Sequence, residues 1–147
     1  MQKTFHFKKY SIVKGGVEVA INLDRFEKQF QRAQCYLDGQ VMTDMVPLMP
    51  HNAGTFAQQT RADSAATQGS GKVYAAGGVQ GRFLYGGKVM VDELTGSPWA
   101  RKGAKKVVTD RNLKYSNPQA VPHWFDEAKK RHGAEWIKGV KKIAGGK

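Results

Sequence analysis

Between Asp24 and Met45 the residues Phe26, Phe30, Ala33, Leu37, Val41 and Met45 recur at steps of three and four. No other feature restricts the fold as much. That recurrence is the period of one helix face, and Arg25, Lys28, Arg32 and Asp38 fall off it. Asp24 with Glu27 three places on has the pattern of a capping box and predicts the helix start. Pro47 predicts its end, because the residue before a proline avoids the helical region. The spacing thus predicts a helix over 24–45 with its stripe in a core. Cys35 lies off the centre of the stripe. It is the sole cysteine, so an intramolecular disulfide and a two-cysteine zinc motif are both excluded.

A second stripe closes the chain: Val121, Trp124, Phe125, Ala128, His132, Trp136, Val140 and Ile143. Asn117-Pro118 predicts its start, asparagine as cap and proline in the first turn, with Pro122 as an alternative start. Gly133 and Gly139 weaken this helix by up to ~1 kcal/mol each relative to alanine, so packing of Trp124 and Trp136 must compensate.

The segments around the two helices are shorter. A weakly alternating run over 4–13, then Gly15-Gly16, then Val17, Val19, Ile21 and Leu23 predict a β-hairpin. Residues 46–54 read as a turn-rich crossing with Pro47, Pro50 and Gly54 turning the chain. Thr55 with Gln58 predicts a short helix to about Gln59. Gly69-Ser70-Gly71 predicts a turn between two weak strands, 61–68 and 72–77. Arg82–Tyr85 is a short apolar knot. Val89 and Val91 mark a strand over 88–92, residues 94–106 a loop, and Val107-Val108 and Leu113–Tyr115 short strands. A chain of 147 residues is expected to form one domain. The expectation is an α+β fold, with a long helix in the N-terminal half and a C-terminal amphipathic helix flanking a small, mostly antiparallel sheet.

Charge narrows the class of function. The net charge is +12, and residues 101–147 hold 13 of the 24 basic side chains but only 4 of the 12 acidic ones. One cluster is Arg101, Lys102, Lys105 and Lys106, with no carboxylate between Glu93 and Asp110. The other is Lys129, Lys130, Arg131, Lys138, Lys141 and Lys142. Such clusters attract polyanions. A solvated rim meeting an acidic partner protein and direct contact with nucleic acid both fit them. No apolar run approaches the ~20 residues of a membrane span, and the basic N-terminus lacks the apolar stretch of a signal peptide. A soluble protein made inside the cell is expected.

No constellation for catalysis emerges. The histidines are His6, His51, His123 and His132. Only the last two share an element, nine residues apart, which does not put two ligands on adjacent turns. Asp92-Glu93 and Asp126-Glu127 are adjacent pairs whose members do not face each other. Asp126 and Glu127 suit the first turn of a helix as partners of its dipole. Gly81 and Gly86 approximate a phosphate-binding loop, but Lys88 comes one place late and Val89 stands where a magnesium-binding hydroxyl belongs. No catalytic, metal or cofactor residue is assigned, and an enzyme is not expected. Signatures of the common nucleic-acid-binding modules are missing, although Trp99 lies beside Arg101-Lys102.

The order of landmarks carries a resemblance. Met-Val-Pro-Leu-Met-Pro (45–50) is followed by Ala-Gly-Thr-Phe (53–56) and Gly-Arg-Phe-Leu-Tyr-Gly-Gly-Lys (81–88). Then come Thr-Gly-Ser-Pro-Trp-Ala (95–100), Thr-Asp-Arg-Asn-Leu-Lys-Tyr (109–115), Asn-Pro-Gln-Ala (117–120) and His-Trp-Phe-Asp-Glu-Ala-Lys-Lys (123–130), with Trp136 beyond. Over about 20–145 this resembles the minor capsid proteins of long-tailed bacteriophages and prophages, in the branch related to tail-completion or neck proteins. Residues 1–16, a basic arm or first hairpin strand, fall outside it, and 17–147 form the neck-protein domain. The resemblance implies a non-enzymatic virion subunit, found in the host cytoplasm during assembly. It implies a homo-oligomeric ring, sixfold or twelvefold, at the head–tail junction around the DNA channel. Its neighbours would be a portal-side adaptor or stopper and a tail terminator or tail tube, with genomic DNA nearby and no membrane. Arg101, Lys102, Lys105 and Lys106 then form the interaction loop, while Tyr85, Trp124, Phe125 and Trp136 are packing or subunit-contact anchors. The alternative is a basic nucleic-acid-binding module acting as a free protein.

Overall fold

The long apolar stripe forms the expected helix, α1 (Asp24–Met45), in a computed structural model that describes residues 7, 9–50, 55–78 and 80–145. The capping box is not used. The cap residue is Leu23, without a side-chain bond, and Asn22 Oδ1 accepts the Asp24 N–H at 2.8 Å. Asp24 and Glu27 stand in the first turn, where negative charge complements the helix dipole. At its other end α1 tightens into a 3-10 turn, Val46–Leu48, that takes Pro47 near its start. Pro50 is buried, and Gly54 lies outside the described residues. Ala33, Val41 and Met45 of the stripe are buried. Phe26 is 50% exposed, so the stripe enters the core only beyond the first turns of α1.

The other long helix, α4 (Trp124–Ile143), packs along α1. Asn117-Pro118 does not start it. Asn117 is buried and donates its amide N–H groups to the Pro47 and Met49 carbonyls, both at 2.9 Å, joining two loop crossings. The helix begins after His123, a non-glycine residue in the left-handed region (φ 52°), whose N–H donates to the Tyr85 carbonyl at 2.9 Å. Trp124 is fully buried, edge-on to Phe56 and Tyr85 with centroids 5.8 and 4.8 Å away. Its indole N–H donates to the Ala75 carbonyl at 2.6 Å, so the burial leaves no orphaned donor. Trp136 and Ala128 are buried on the same face, against Val41, Met42, Met45, Leu48 and Met49. Tyr85 and Phe125 pack on this cluster from its edge.

The polar middle of the chain differs from expectation. Residues 61–66 continue the helix begun at Thr55 as α2 (Thr55–Ala66), and 72–77 form no strand. Ala62, Ala65 and Ala66 favour helix strongly, and short hydroxyl side chains replace a ladder. Thr60 Oγ1 accepts the Gly77 N–H at 2.9 Å, and Ser64 Oγ accepts the Tyr74 N–H at 3.1 Å. Buried Asp38 of α1 accepts the N–H groups of Gly69 and Gly71 at 2.7 and 3.1 Å. The glycine-rich stretch is therefore laced onto α1 and α2 by side-chain-to-backbone bonds.

The strands pair as two separate antiparallel hairpins, not as one sheet between the helices. β1 (Tyr10–Lys14) and β2 (Val17–Ile21) turn through Gly15-Gly16 as expected. The earlier part of the 4–13 run, His6 included, lies outside the described residues. The Arg82–Tyr85 knot is a short helix, α3 (Gly81–Gly86), ended by Gly87 at φ 68°. A Cβ there would meet Pro122, so the position needs glycine for space and for conformation. β3 (Lys88–Asp92) pairs with β4 (Lys106–Asn112), with a bulge between Lys88 and Met90. Leu113–Tyr115 is no strand, because its polar groups go elsewhere: Leu113 N–H to the Gly87 carbonyl, Tyr115 O–H to the Leu84 carbonyl. The class is α+β, with two long helices as the core and the hairpins outside it. Among the described residues, no helix is long and apolar enough to cross a membrane.

Candidate interaction surface

The loop from Glu93 to Lys105 is organised by one carboxylate. Asp92, at the end of β3, is fully buried. Its Oδ1 accepts the N–H groups of Leu94 and Thr95 at 2.9 and 3.2 Å. Its Oδ2 accepts Arg101 twice, from the backbone N–H at 3.1 Å and from Nε at 3.0 Å, while Arg101 Nη2 reaches Oδ1 at 3.3 Å. The backbone adds Asp92 N–H to the Ser97 carbonyl and Gly96 N–H to the Asp92 carbonyl, at 2.8 and 2.9 Å. The Arg101 side chain, its backbone N–H and that of Leu94 hold the Asp92 carboxyl well below the usual carboxylate range. The two ends of the loop are thereby clasped together, and what lies between is presented as a fixed finger.

The finger carries the most exposed large apolar side chain described, Trp99, at 86%. Its indole makes no hydrogen bond or ring contact with the described residues; its backbone N–H donates to Ser97 Oγ. Leu94 is 77% exposed. The four expected interaction residues divide. Arg101 is committed to Asp92, and Lys106 donates to the Pro98 carbonyl at 2.7 Å. Lys102 and Lys105 are exposed and carry no partner among the described residues. The second cationic cluster lies on the outer side of α4, where Arg131 pairs with Glu127 at 2.7 Å.

The β1–β2 hairpin supplies a second surface. Its register puts Tyr10, Ile12, Val17, Val19 and Ile21 on one face with Lys14, and Ser11, Val13, Glu18 and Ala20 on the other. Ser11 Oγ donates to Glu18 Oε1 across the polar face. Every residue of both strands is exposed, including the five apolar ones of the first face. A contiguous apolar face of this kind marks a contact with another molecule.

The remaining polar cluster is built into the core edge. Tyr85 O–H donates to Asp126 Oδ2 at 3.1 Å, and the His123 ring stands edge-on to Tyr85 with Nδ1 3.9 Å from the same oxygen. Desolvation, with the bond to Asp126 second, pushes the Tyr85 hydroxyl up to about 12. His132 is half-buried, 3.6 Å from Glu135. Among the described residues no group of three or more His, Cys, Asp or Glu side chains is placed to hold a metal ion.

Sequence reasoning missed Asp92, which it took as one of an adjacent acidic pair. An available signal was the Asp-x-x-Thr-Gly run at 92–96, a turn pattern in which aspartate binds backbone two and three residues on. The exposure of Trp99 had no periodic signal at all. The fold and surface define a class, a helical core carrying two antiparallel hairpins with apolar and cationic side chains outward. Compared with known proteins, the chain matches no family model, no curated relative and no solved structure.

Proposed function

We propose that this chain is a structural, non-enzymatic subunit of a phage particle. It assembles as a closed ring of identical copies at the head–tail junction, around the channel through which DNA passes. The observation that carries this reading is the β1–β2 hairpin, an apolar strand face left uncovered in the single chain. A two-stranded hairpin is marginal on its own, and a neighbouring copy that covers it contributes the missing packing. One patch docking on a different patch of the next copy is a heterologous contact, which closes into a ring when the rotation allows. The landmark order from Met45 to Trp136 supports the neck location, and the +12 charge suits a ring beside DNA. Electron microscopy of assembled particles tests it: density for this chain belongs at the head–tail junction as a ring. Particles that lack the chain there would overturn the assignment.

A further inference from the structure

We propose that the 93–105 finger is a nucleic-acid contact: Trp99 stacks on an exposed base while Lys102 and Lys105 meet the flanking phosphates. The inference goes beyond the neck reading and does not take its ligand from it: the finger's own side chains point to a single strand. Its test uses the isolated chain, so it fails or succeeds separately from particle assembly.

The finger has the composition of such a contact. Protein–protein interface cores favour tryptophan and arginine but are depleted in lysine. Here the sole arginine of the loop is turned inward onto Asp92, and the side chains left free beside Trp99 are lysines. Glu93 at the base of the finger is its one exposed carboxylate, and no other stands before Asp110, so Lys102 and Lys105 leave the finger with an excess of free cations. An aromatic face among solvated ammonium groups is what sequence-tolerant binders of single strands present: the base stacks, and the cations follow the backbone. The clasp matters to this, because a loop already ordered by Asp92 loses little conformational freedom on binding. The Asp92 cluster also leaves Trp99 with no internal site to collapse into, since the backbone on both sides is held by hydrogen bonds.

Intrinsic fluorescence reads this site selectively. Trp124 and Trp136 are buried at 0% and 5% exposure, so a quencher in solution acts mainly on Trp99. Short oligo(dT) is expected to quench the exposed emission, and Trp99→Phe removes that quenching while the far-UV spectrum stays unchanged. Trp99→Ala lowers oligo(dT) affinity about tenfold, the effect of losing one stacked base. Lys102→Gln with Lys105→Gln reduces the salt slope of binding by about 1.4, at roughly 0.7 per phosphate contact on a single strand. The charge-matched control, Lys141→Gln with Lys142→Gln on α4, keeps the quenching. Duplex DNA of the same length quenches less, because its bases are already stacked. Equal loss of quenching in the two double variants overturns the proposal, as does quenching by duplex that matches or exceeds that by oligo(dT). Quenching by poly-glutamate as strong as by oligo(dT) also overturns it, and would assign the finger to an acidic protein.

Discussion

Trp136 on α4 donates its indole N–H to Asp44 Oδ2 on α1 at 2.6 Å, a side-chain bond that ties the two longest helices together. The residues are far apart in sequence, yet this bond and the buried ring set how the helices lie on each other. Asp44→Ala is expected to cost about 1.5–3 kcal/mol, the range for a hydrogen bond to a charged group. Trp136→Ala costs more, about 3–5 kcal/mol, because it also opens a cavity. Urea denaturation of the two single variants and the double variant separates the bond from the packing; additive effects would show that the bond contributes nothing of its own.

The two glycines of α4 are expected to behave in opposite ways. A Cβ at Gly139 would run into the Tyr36 ring, so Gly139→Ala overpacks the helix contact and destabilises by about 1–3 kcal/mol. A Cβ at Gly133 meets only Lys129 Cγ at 3.7 Å, an ordinary contact. Gly133→Ala therefore stabilises by up to ~1 kcal/mol through helix propensity. Thermal melts of the two variants test this directly, and a shift of the same sign in both would contradict the packing.

The Asp92–Arg101 clasp has a defined pH window. The folded-state pKa of Asp92 is depressed, chiefly by the Arg101 side chain. Its contribution is therefore complete above the unfolded value of about 3.9 and is lost only as pH falls through the lower folded value. The Leu94, Thr95 and Arg101 amides should remain protected from hydrogen exchange at mildly acidic pH as well as at neutrality. In Asp92→Asn they should exchange faster throughout, with the α1–α4 core amides unchanged. Equal protection in that variant would show that the finger is ordered without the carboxylate.

Tyr85 gives the opposite sign. Its hydroxyl is raised to about 12 by burial and by its bond to Asp126. The stability it adds is complete below its ordinary value near 10 and disappears as pH rises through about 12. Ultraviolet titration should show a tyrosinate step near that pH that Tyr85→Phe removes. Asp126→Asn should move the step down, and its staying in place would leave desolvation as the sole cause.

The uncovered hairpin face predicts an effect confined to association. Ile12→Lys with Val19→Lys, both about half-exposed, should leave the melting of the helical core unchanged while blocking ring formation. Sedimentation of the variant alongside the native chain reads the outcome, and unchanged assembly would remove the hairpin from the contact.

The parts legible in the sequence were those with a repeating local cause. The stripe from Phe26 to Met45 marked both ends of α1 correctly, and Val121 to Ile143 marked α4 as an amphipathic helix. Gly15-Gly16 marked the first hairpin. The errors fell where short polar side chains choose distant partners. Thr60, Ser64 and Asp38 look like loop residues in the sequence, yet they bind the backbone of 69–77, and 61–66 joins α2 instead of a strand. Asn117 looks like a helix cap, yet it spends its amide on Pro47 and Met49. At the candidate site, Arg101, Lys102, Lys105 and Lys106 were visible as a charge cluster, but not the burial of Asp92 that separates Arg101 from the lysines.

The sequence by itself determined the α+β class, the two long helices, the first hairpin turn and the concentration of positive charge after residue 100. These follow from periodicity, turn chemistry and net charge, which act between near neighbours. The tertiary structure alone decided that the strands form two outlying hairpins instead of one sheet. It also decided which carboxylates are buried, and that Trp99 stands in solvent while Trp124 and Trp136 fill the core. Those outcomes depend on where a donor, a ring or a helix face finds its partner across the fold. No local pattern encodes the distance between residues as far apart as Asp44 and Trp136.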